Sequence, residues 1–347
     1  MEKSKEQSWL SAGLGLQLGL IGLLGLAAMS WLALESCGAE GGCVEGARGL
    51  WRATFPDWAR RAIRGVFHVL TAPWLWFVIV VAGIGERLRP ARSGQPILSK
   101  GMVHDGLAWV ILNRLTFGLL VGIVFSYSYL VDLYDAHLSF LSIEAMTELP
   151  TAVRAGLAFL VADFLGWFHH WVRHKVPAFW VFHAVHHSQR EMNIFTDERV
   201  HPFDRLIAMP ISLIPMLILE LDGQIVPWLL VFQTIYTHLY HANLKTDYGL
   251  LRYVFVTPQS HRIHHSHETQ HADKNFGVIF CVWDRIFGTH VDGWADYPQT
   301  GIEDPDFPME KSPVPQSILF SYLQQFFYPF KQIWVRATTG SWQLPAG

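Results

Sequence analysis

The order of its histidines constrains this chain more than any other feature. Fourteen of its 18 histidines fall between His169 and His271. His170 and His174 are four apart, and His183, His186 and His187 follow as H-x-x-H-H. His261, His264 and His265 repeat that spacing. Residues three or four apart share a helix face, so each group can present two or three imidazoles to one point. A lone histidine is most often a satisfied polar residue. Eight in three helix-spaced groups are different, because neutral rings gathered without metal would repel on protonation and leave buried donors unpaired. The spacing therefore points to metal, and imidazole suits Zn, Cu, Fe and Ni. One ion cannot use eight or more imidazoles, whereas two ions with four or five nitrogens each account for the count. A structural zinc site is closed at four ligands and usually includes Cys. Here the one nearby cysteine, Cys281, lacks a partner, so the pattern favours a two-metal catalytic site.

Apolar runs set the surroundings. Gly13 to Leu34 is nearly unbroken and long enough to cross a bilayer core of about 30 Å. Further runs are Val66–Ile84, Leu107–Val131 and Ala152–Phe168. Two shorter ones, Leu206–Leu221 and Ile225–His241, are joined through Asp222 and Gly223 and either span or dip as a re-entrant hairpin. Loop charge orients the chain by the positive-inside rule. Residues 131–150 carry four acids and no Lys or Arg, whereas 86–100 carry Arg87, Arg89, Arg92 and Lys100. Residues 35–65, rich in Arg, run against this pattern, with Trp58 to Val69 amphipathic. Cys37 and Cys43 in that stretch are a disulfide or two free thiols. The expected architecture is all-α: a polytopic membrane bundle of about four to six spans with a cytoplasmic helical cap holding the histidines. The expected divisions are 1–150 (N-terminal transmembrane region), 151–295 (catalytic domain) and 296–347 (C-terminal amphipathic segment on the membrane surface). In that last segment Gln316 to Ala337 is aromatic and Pro329 is expected to break it. Only 16% of residues are charged and the net charge is −3, which excludes a disordered chain and argues against a nucleic-acid binder.

The stretches D163-F-L-G-W-F-H-H-W-V-R-H174, F-W-V-F-H183-A-V-H186-H187-S and H261-R-I-H264-H265-S resemble the fatty acid hydroxylase/sterol desaturase superfamily. R199-V-H201-P, H241-A-N, N275-F-G and W283-D-R-I-F-G-T extend the resemblance to about residues 160–290. It implies a membrane di-iron oxygenase with three histidine boxes. His170 and His174 would be ligands from the first box, His183, His186 and His187 from the second, and His261, His264 and His265 from the third. His241 matches a further ligand position, and His238 or His201 is a candidate for a tenth. His169 departs from the pattern and reads as an outer-shell or packing residue. Asp163, two turns before His170, would hold a ligand ring in its tautomer from the second shell or be spent on another partner.

Two iron ions are the implied cofactors, with zinc able to take their place in a purified protein. The implied reaction is O₂-dependent hydroxylation, or desaturation, of a lipid. No nucleotide-binding glycine loop and no haem motif is found, so electrons would come from a separate ferredoxin, cytochrome or reductase. Arg173, Lys175, Arg190, Arg199 and Arg205 would dock that donor or serve as positive-inside anchors. Trp167, Phe168, Trp171, Phe179, Trp180 and Phe182 would line a lipid entry or anchor the interface. The active site is expected on the cytoplasmic side of a bacterial inner membrane, or of the ER membrane in a eukaryote. Two other classes compete. His267-Glu268-x-x-His271 matches the zinc-protease pattern, but the stretch from His264 to His271 lacks an apolar stripe for a buried helix. A non-catalytic metal-binding membrane protein would want polar groups deep inside several spans.

Overall fold

The structure, a computed structural model, describes residues 73–96, 98–113, 127–221, 225–293, 296–310 and 315–342. The run Gly13–Leu34, the pair Cys37/Cys43, the amphipathic Trp58–Val69 and the joint at Asp222–Gly223 lie outside these residues, as does the middle of Leu107–Val131.

The described chain is helical, and its only β-contacts are three isolated bridges. Helix α1 spans Pro73–Leu88 and α2 spans Lys100–His104, which runs on as a π-helical segment, Asp105–Asn113. Helix α3 is Tyr127–His137. Next comes α4, Thr151–Lys175, whose 25 residues extend about 37 Å. It is the one helix among the described residues long and apolar enough to cross a membrane. Arg173, His174 and Lys175 fill its last turn, where cations offset the carbonyl end of the helix dipole. Val176 is extended, as the residue before a proline prefers, and Pro177 opens α5, Pro177–His187.

Helix α6 (Pro202–Ile218) and α7 (Val226–His241) carry the two shorter apolar runs. Their 17 and 16 residues extend about 25 Å each, less than a bilayer core. Arg154 of α4 donates to the carbonyl of Glu220 at 2.8 Å, satisfying a group just past the end of α6. Then follow α8 (Pro258–His264), capped at Thr257 by a reciprocal Thr–Ser box, α9 (Val282–Phe287) and α10 (Pro315–Thr339). Helix α10 runs through Pro329 rather than breaking there. Before the proline Tyr322 and Tyr328 pack in one core with Trp109, Trp180 and Val185, and after it Phe330 packs on Phe182 and Phe203, so contacts on both sides of the proline hold the helix together.

Small residues at four-residue intervals on α4, Ala158, Ala162 and Gly166, lead to His170 and His174 on one face. Ala158 packs with Leu213, Met216 and Val226, so α6 and α7 lie against this face. The outward faces are apolar as well: Trp76, Phe77, Leu157, Val161, Ile207, Trp228, Phe232, Phe320 and Trp334 are all exposed.

Candidate metal centre

Nine histidines converge in two buried groups. His170, His174, His183, His187 and His264 form the first, and His186, His241, His261 and His265 the second. Within each group one ligand atom per residue lies within 4.8 Å of all the others. The box spacing explains the division. On α5, His183 and His187 are separated by about 40° and face the first group, while His186 is turned about 100° from His187 towards the second. On α8 the sharing is reversed: His264 serves the first group, and His261 and His265 the second. Each H-x-x-H-H box thus feeds both groups from a single helical turn.

The far nitrogens of these rings are held in place. Nδ1 of His170 donates to the carbonyl of Phe276 at 2.9 Å, and Nδ1 of His186 to that of Arg199 at 3.2 Å. His241 donates to Thr237 at 2.7 Å and His264 to Lys274 at 2.7 Å. Asp204 accepts from His183 at 3.1 Å and from Arg173 at 2.9 Å. A carbonyl cannot donate, so in the neutral ring each such contact fixes the proton on Nδ1 and leaves Nε2 a bare lone pair.

Those lone pairs supply the test of whether a metal fits. Nε2 of His186 and of His241 lie 3.2 Å apart, and both are acceptors, so no hydrogen bond can join them. Only a proton or a cation between them makes the arrangement favourable. Nε2 of His170 and of His264 are buried with no partner. Ligands at 2.0–2.1 Å from one ion place their nitrogens about 3.0–3.4 Å from each other. The Nε2 separations of 3.1 Å (His174–His187), 3.2 Å (His183–His187) and 3.1 Å (His261–His265) agree with that range. Burial pushes His183, His186, His187, His261, His264 and His265 well below the ordinary imidazole pKa, helped by repulsion from neighbouring rings. They are therefore neutral, as ligands must be.

Several sequence expectations are corrected. Among the described residues Asp163 makes no hydrogen bond to a histidine. It accepts from the backbone of Ile279 (2.8 Å) and Phe280 (3.3 Å) and from the indole of Trp283 (2.8 Å), clamping that loop to α4. Neither candidate tenth ligand enters a group. His201 caps α6, accepting from Phe203 N and donating to the carbonyl of Phe326, which occupies both its nitrogens. His238 faces the carbonyl of Thr234 and the carboxylate of Asp197. His169 is buried on α4, outside both groups.

His267 faces Glu303 and His271 faces Ser266, and Thr269–His271 is a single 3₁₀ turn. The helix that a zinc-protease reading needs is absent here, because the stretch has no apolar face to bury. Arg199 does not offer itself to a partner. It is fully buried, bound to Asp105, Ser188 and Glu310. Arg173, Lys175 and Arg205 also pair with carboxylates of this chain. Of the aromatic residues, Trp167 is buried with its indole on Asp284, and Trp180 lies over His174 and His187. Phe168 and Phe179 do point outward.

The loop that positions Phe276 is built around Asp284, which accepts from Phe276 N, Gly277 N, Trp167 and Thr289. A Cβ at Gly277 would come within 2.8 Å of the Phe280 carbonyl, so glycine is required there. Asn275 has a left-handed φ of 57° and ties the loop to Ser260 O and Val291 N. The N275-F-G and W283-D-R motifs were visible in the sequence, but the role of Asp284 was not.

A cavity of about 370 Å³ opens beside both groups. His170 and His183 of the first and His186, His241 and His261 of the second form one wall. Ala208, Ile211 and Ser212 of α6 and Gln233 and Thr234 of α7 also line it. A larger cleft of about 700 Å³ lies elsewhere, beside Arg92, Arg190 and Arg262, and touches none of the nine histidines.

Residues 155–289 match the fatty acid hydroxylase family. Ornithine lipid hydroxylase OlsE of Rhizobium tropici is 29% identical over 140 residues, covering 40% of this chain and 42% of the relative. Alkylglycerol monooxygenase of Danio rerio is 34% identical over 140 residues, covering 38% of this chain and 29% of the relative. Fatty acid hydroxylase vlmA of a Lecanicillium species is 28% identical over 156 residues, covering 41% and 42%. The chain thus spans less than half the length of each of these relatives. They are oxidoreductases acting on lipids by their names. No solved structure matches the chain.

Proposed function

We propose that this protein is a membrane-bound lipid hydroxylase that holds two iron ions at its nine clustered histidines. The observation that carries this reading is the shared wall: imidazoles of both groups border one cavity walled by apolar helices. Iron held by nitrogen ligands and supplied with O₂ and electrons oxidises unactivated C–H bonds. His170, His174, His183, His187 and His264 would hold one ion, and His186, His241, His261 and His265 the other. The chain's own residues do the positioning. Arg173 and Asp204 fix the ring of His183, and the carbonyls of Phe276, Arg199, Thr237 and Lys274 fix four more. Trp180 and Phe276 pack their rings against His174 of the first group.

The exposed apolar faces of α1, α4, α6, α7 and α10 support a membrane setting, since water-soluble monomers rarely leave so much apolar surface bare. A lipid chain would enter the cavity between α6 and α7. Ser212 and Gln233 would then meet the polar group next to the oxidised carbon. The names of the relatives favour hydroxylation over desaturation. The four to six spans, the cytoplasmic placement of the site and the separate electron donor follow from the loop charge and the missing cofactor motifs, and belong to the same proposal.

The test compares lipid extracts from cells with and without the gene under labelled O₂. A product that gains one labelled oxygen names the substrate and the reaction. An unchanged lipid profile, with a purified protein that holds only zinc and oxidises no lipid, would refute the reading.

A further inference from the structure

The cleft of about 700 Å³ lies away from the imidazole cavity and shares no wall residue with it. Three arginines line it: Arg92 and Arg190, both exposed, and Arg262, only 2% exposed. Arg262 donates from Nη2 to Oδ1 of Asn243 at 3.1 Å, an oxygen that also accepts from the backbone N of Arg92. Its Nη1 is buried and has no partner. Neither Arg92 nor Arg190 pairs with a carboxylate among the described residues. The two acids in the cleft are turned elsewhere: Glu191 accepts from Gly101 N at 2.9 Å, and Glu303 faces His267 at 3.2 Å. A buried guanidinium nitrogen without an acceptor is costly, and Arg92 repels the charge of Arg262, which Glu86 offsets only in part. Both costs vanish when an anion with several acceptor oxygens sits among them.

We propose that this cleft is a phosphate-binding site, formed by Arg92, Arg190 and Arg262, for a small phosphorylated ligand or a lipid headgroup. Three guanidiniums suit a phosphate, which offers more acceptor oxygens than a carboxylate. The burial of Arg262 favours a slender ligand, because a flat protein surface cannot reach it. Arg262 stands between His261 and Ile263 on α8, so a bound phosphate would brace the helix that supplies His261 and His264 to the two groups. The site itself needs no metal, and its failure would leave the oxygenase reading untouched.

The experiment uses the full chain purified in an uncharged detergent, with binding followed by calorimetry. One arm titrates inorganic phosphate against sodium chloride of equal ionic strength. The other titrates short-chain phosphatidic acid against short-chain phosphatidylcholine in the same detergent. Saturable binding is expected, weakened about tenfold or more by Arg190→Gln and by Arg92→Gln. Both side chains are exposed, so these variants should keep their circular dichroism spectrum and metal content. Binding in both arms identifies phosphate itself as sufficient, and binding of phosphatidic acid alone identifies a headgroup. No saturable binding in either arm, an equal effect of chloride, or wild-type affinity in both variants would overturn the proposal.

Discussion

The nine clustered histidines were legible because a ligand set drawn from helices must repeat at helical spacing. Their partners were not. Four rings are held by main-chain carbonyls, and a carbonyl has no letter in the sequence. Asp204 and Arg173 do have letters, but they lie 31 residues apart and meet only in the folded chain. The division into groups gives a residue-scale prediction. His241 contributes to the second group alone. His241→Ala should therefore lower metal content from two ions per chain towards one, with loss of lipid oxidation and retention of the helical spectrum. Metal analysis of the purified variant checks this, and undiminished metal content would remove His241 from the ligand set. Asp204→Asn should act more gently. It keeps an oxygen for His183 but loses the charge that Arg173 faces, so metal affinity should fall about 10–100-fold, as measured by competition with a chelator.

At the scale of elements, the apolar runs foretold α6 and α7 within four residues and the start of α4 within one, though α4 continues seven residues past Phe168 through its histidines, because hydropathy fixes only where a buried or lipid-facing helix can run. The two shorter runs also foretold the lengths of α6 and α7, but the run on α4 did not foretell its 25 residues. Both α6 and α7 fall short of a bilayer core, and the proline in α10 interrupts nothing. What holds a helix through a proline is packing on both sides, which hydropathy does not record. Asp163 shows the same limit. Its place on the histidine face of α4 suggested a ring partner, yet the loop at 279–283 reaches it first. That loop follows directly on Phe276, whose carbonyl orients His170. Asp163→Ala would strip two backbone donors and an indole of their acceptor, costing roughly 3–5 kcal/mol. The expected outcome is a lower unfolding temperature, with metal lost from the first group before the second. Loss from the second group alone would mean that the loop does not govern His170.

For the whole molecule, the two extremes of composition separate in space. Apolar side chains cover the outside of the long helices, and the histidines fill the place where α4, α5, α7 and α8 meet. What joins the segments flanking the histidine helices to that centre is a buried ion network that sequence reading missed, because its members come from three distant segments. Arg199 binds Asp105 of the π segment at 2.7 Å and Glu310 of the stretch before α10, and its own carbonyl orients His186. Burial alone would raise the carboxyl of Glu310, but Arg199 and then His104 beside it hold it down at about 2, against an ordinary 4.5. The sign follows from linkage. Below 4.5 the unfolded chain takes up this proton and the folded chain does not, so the contribution is fully present above pH 4.5. It is lost as pH falls towards about 2. A displacement of that size is worth roughly 3 kcal/mol. Glu310→Gln should therefore destabilise the protein at neutral pH and flatten its acid limb between about pH 4.5 and 2. Denaturation midpoints measured across that range, with wild type alongside, check this. Parallel curves for the two proteins would show that Glu310 carries no such charge coupling, and a variant that keeps full stability at pH 7 would detach the segment before α10 from the support of His186.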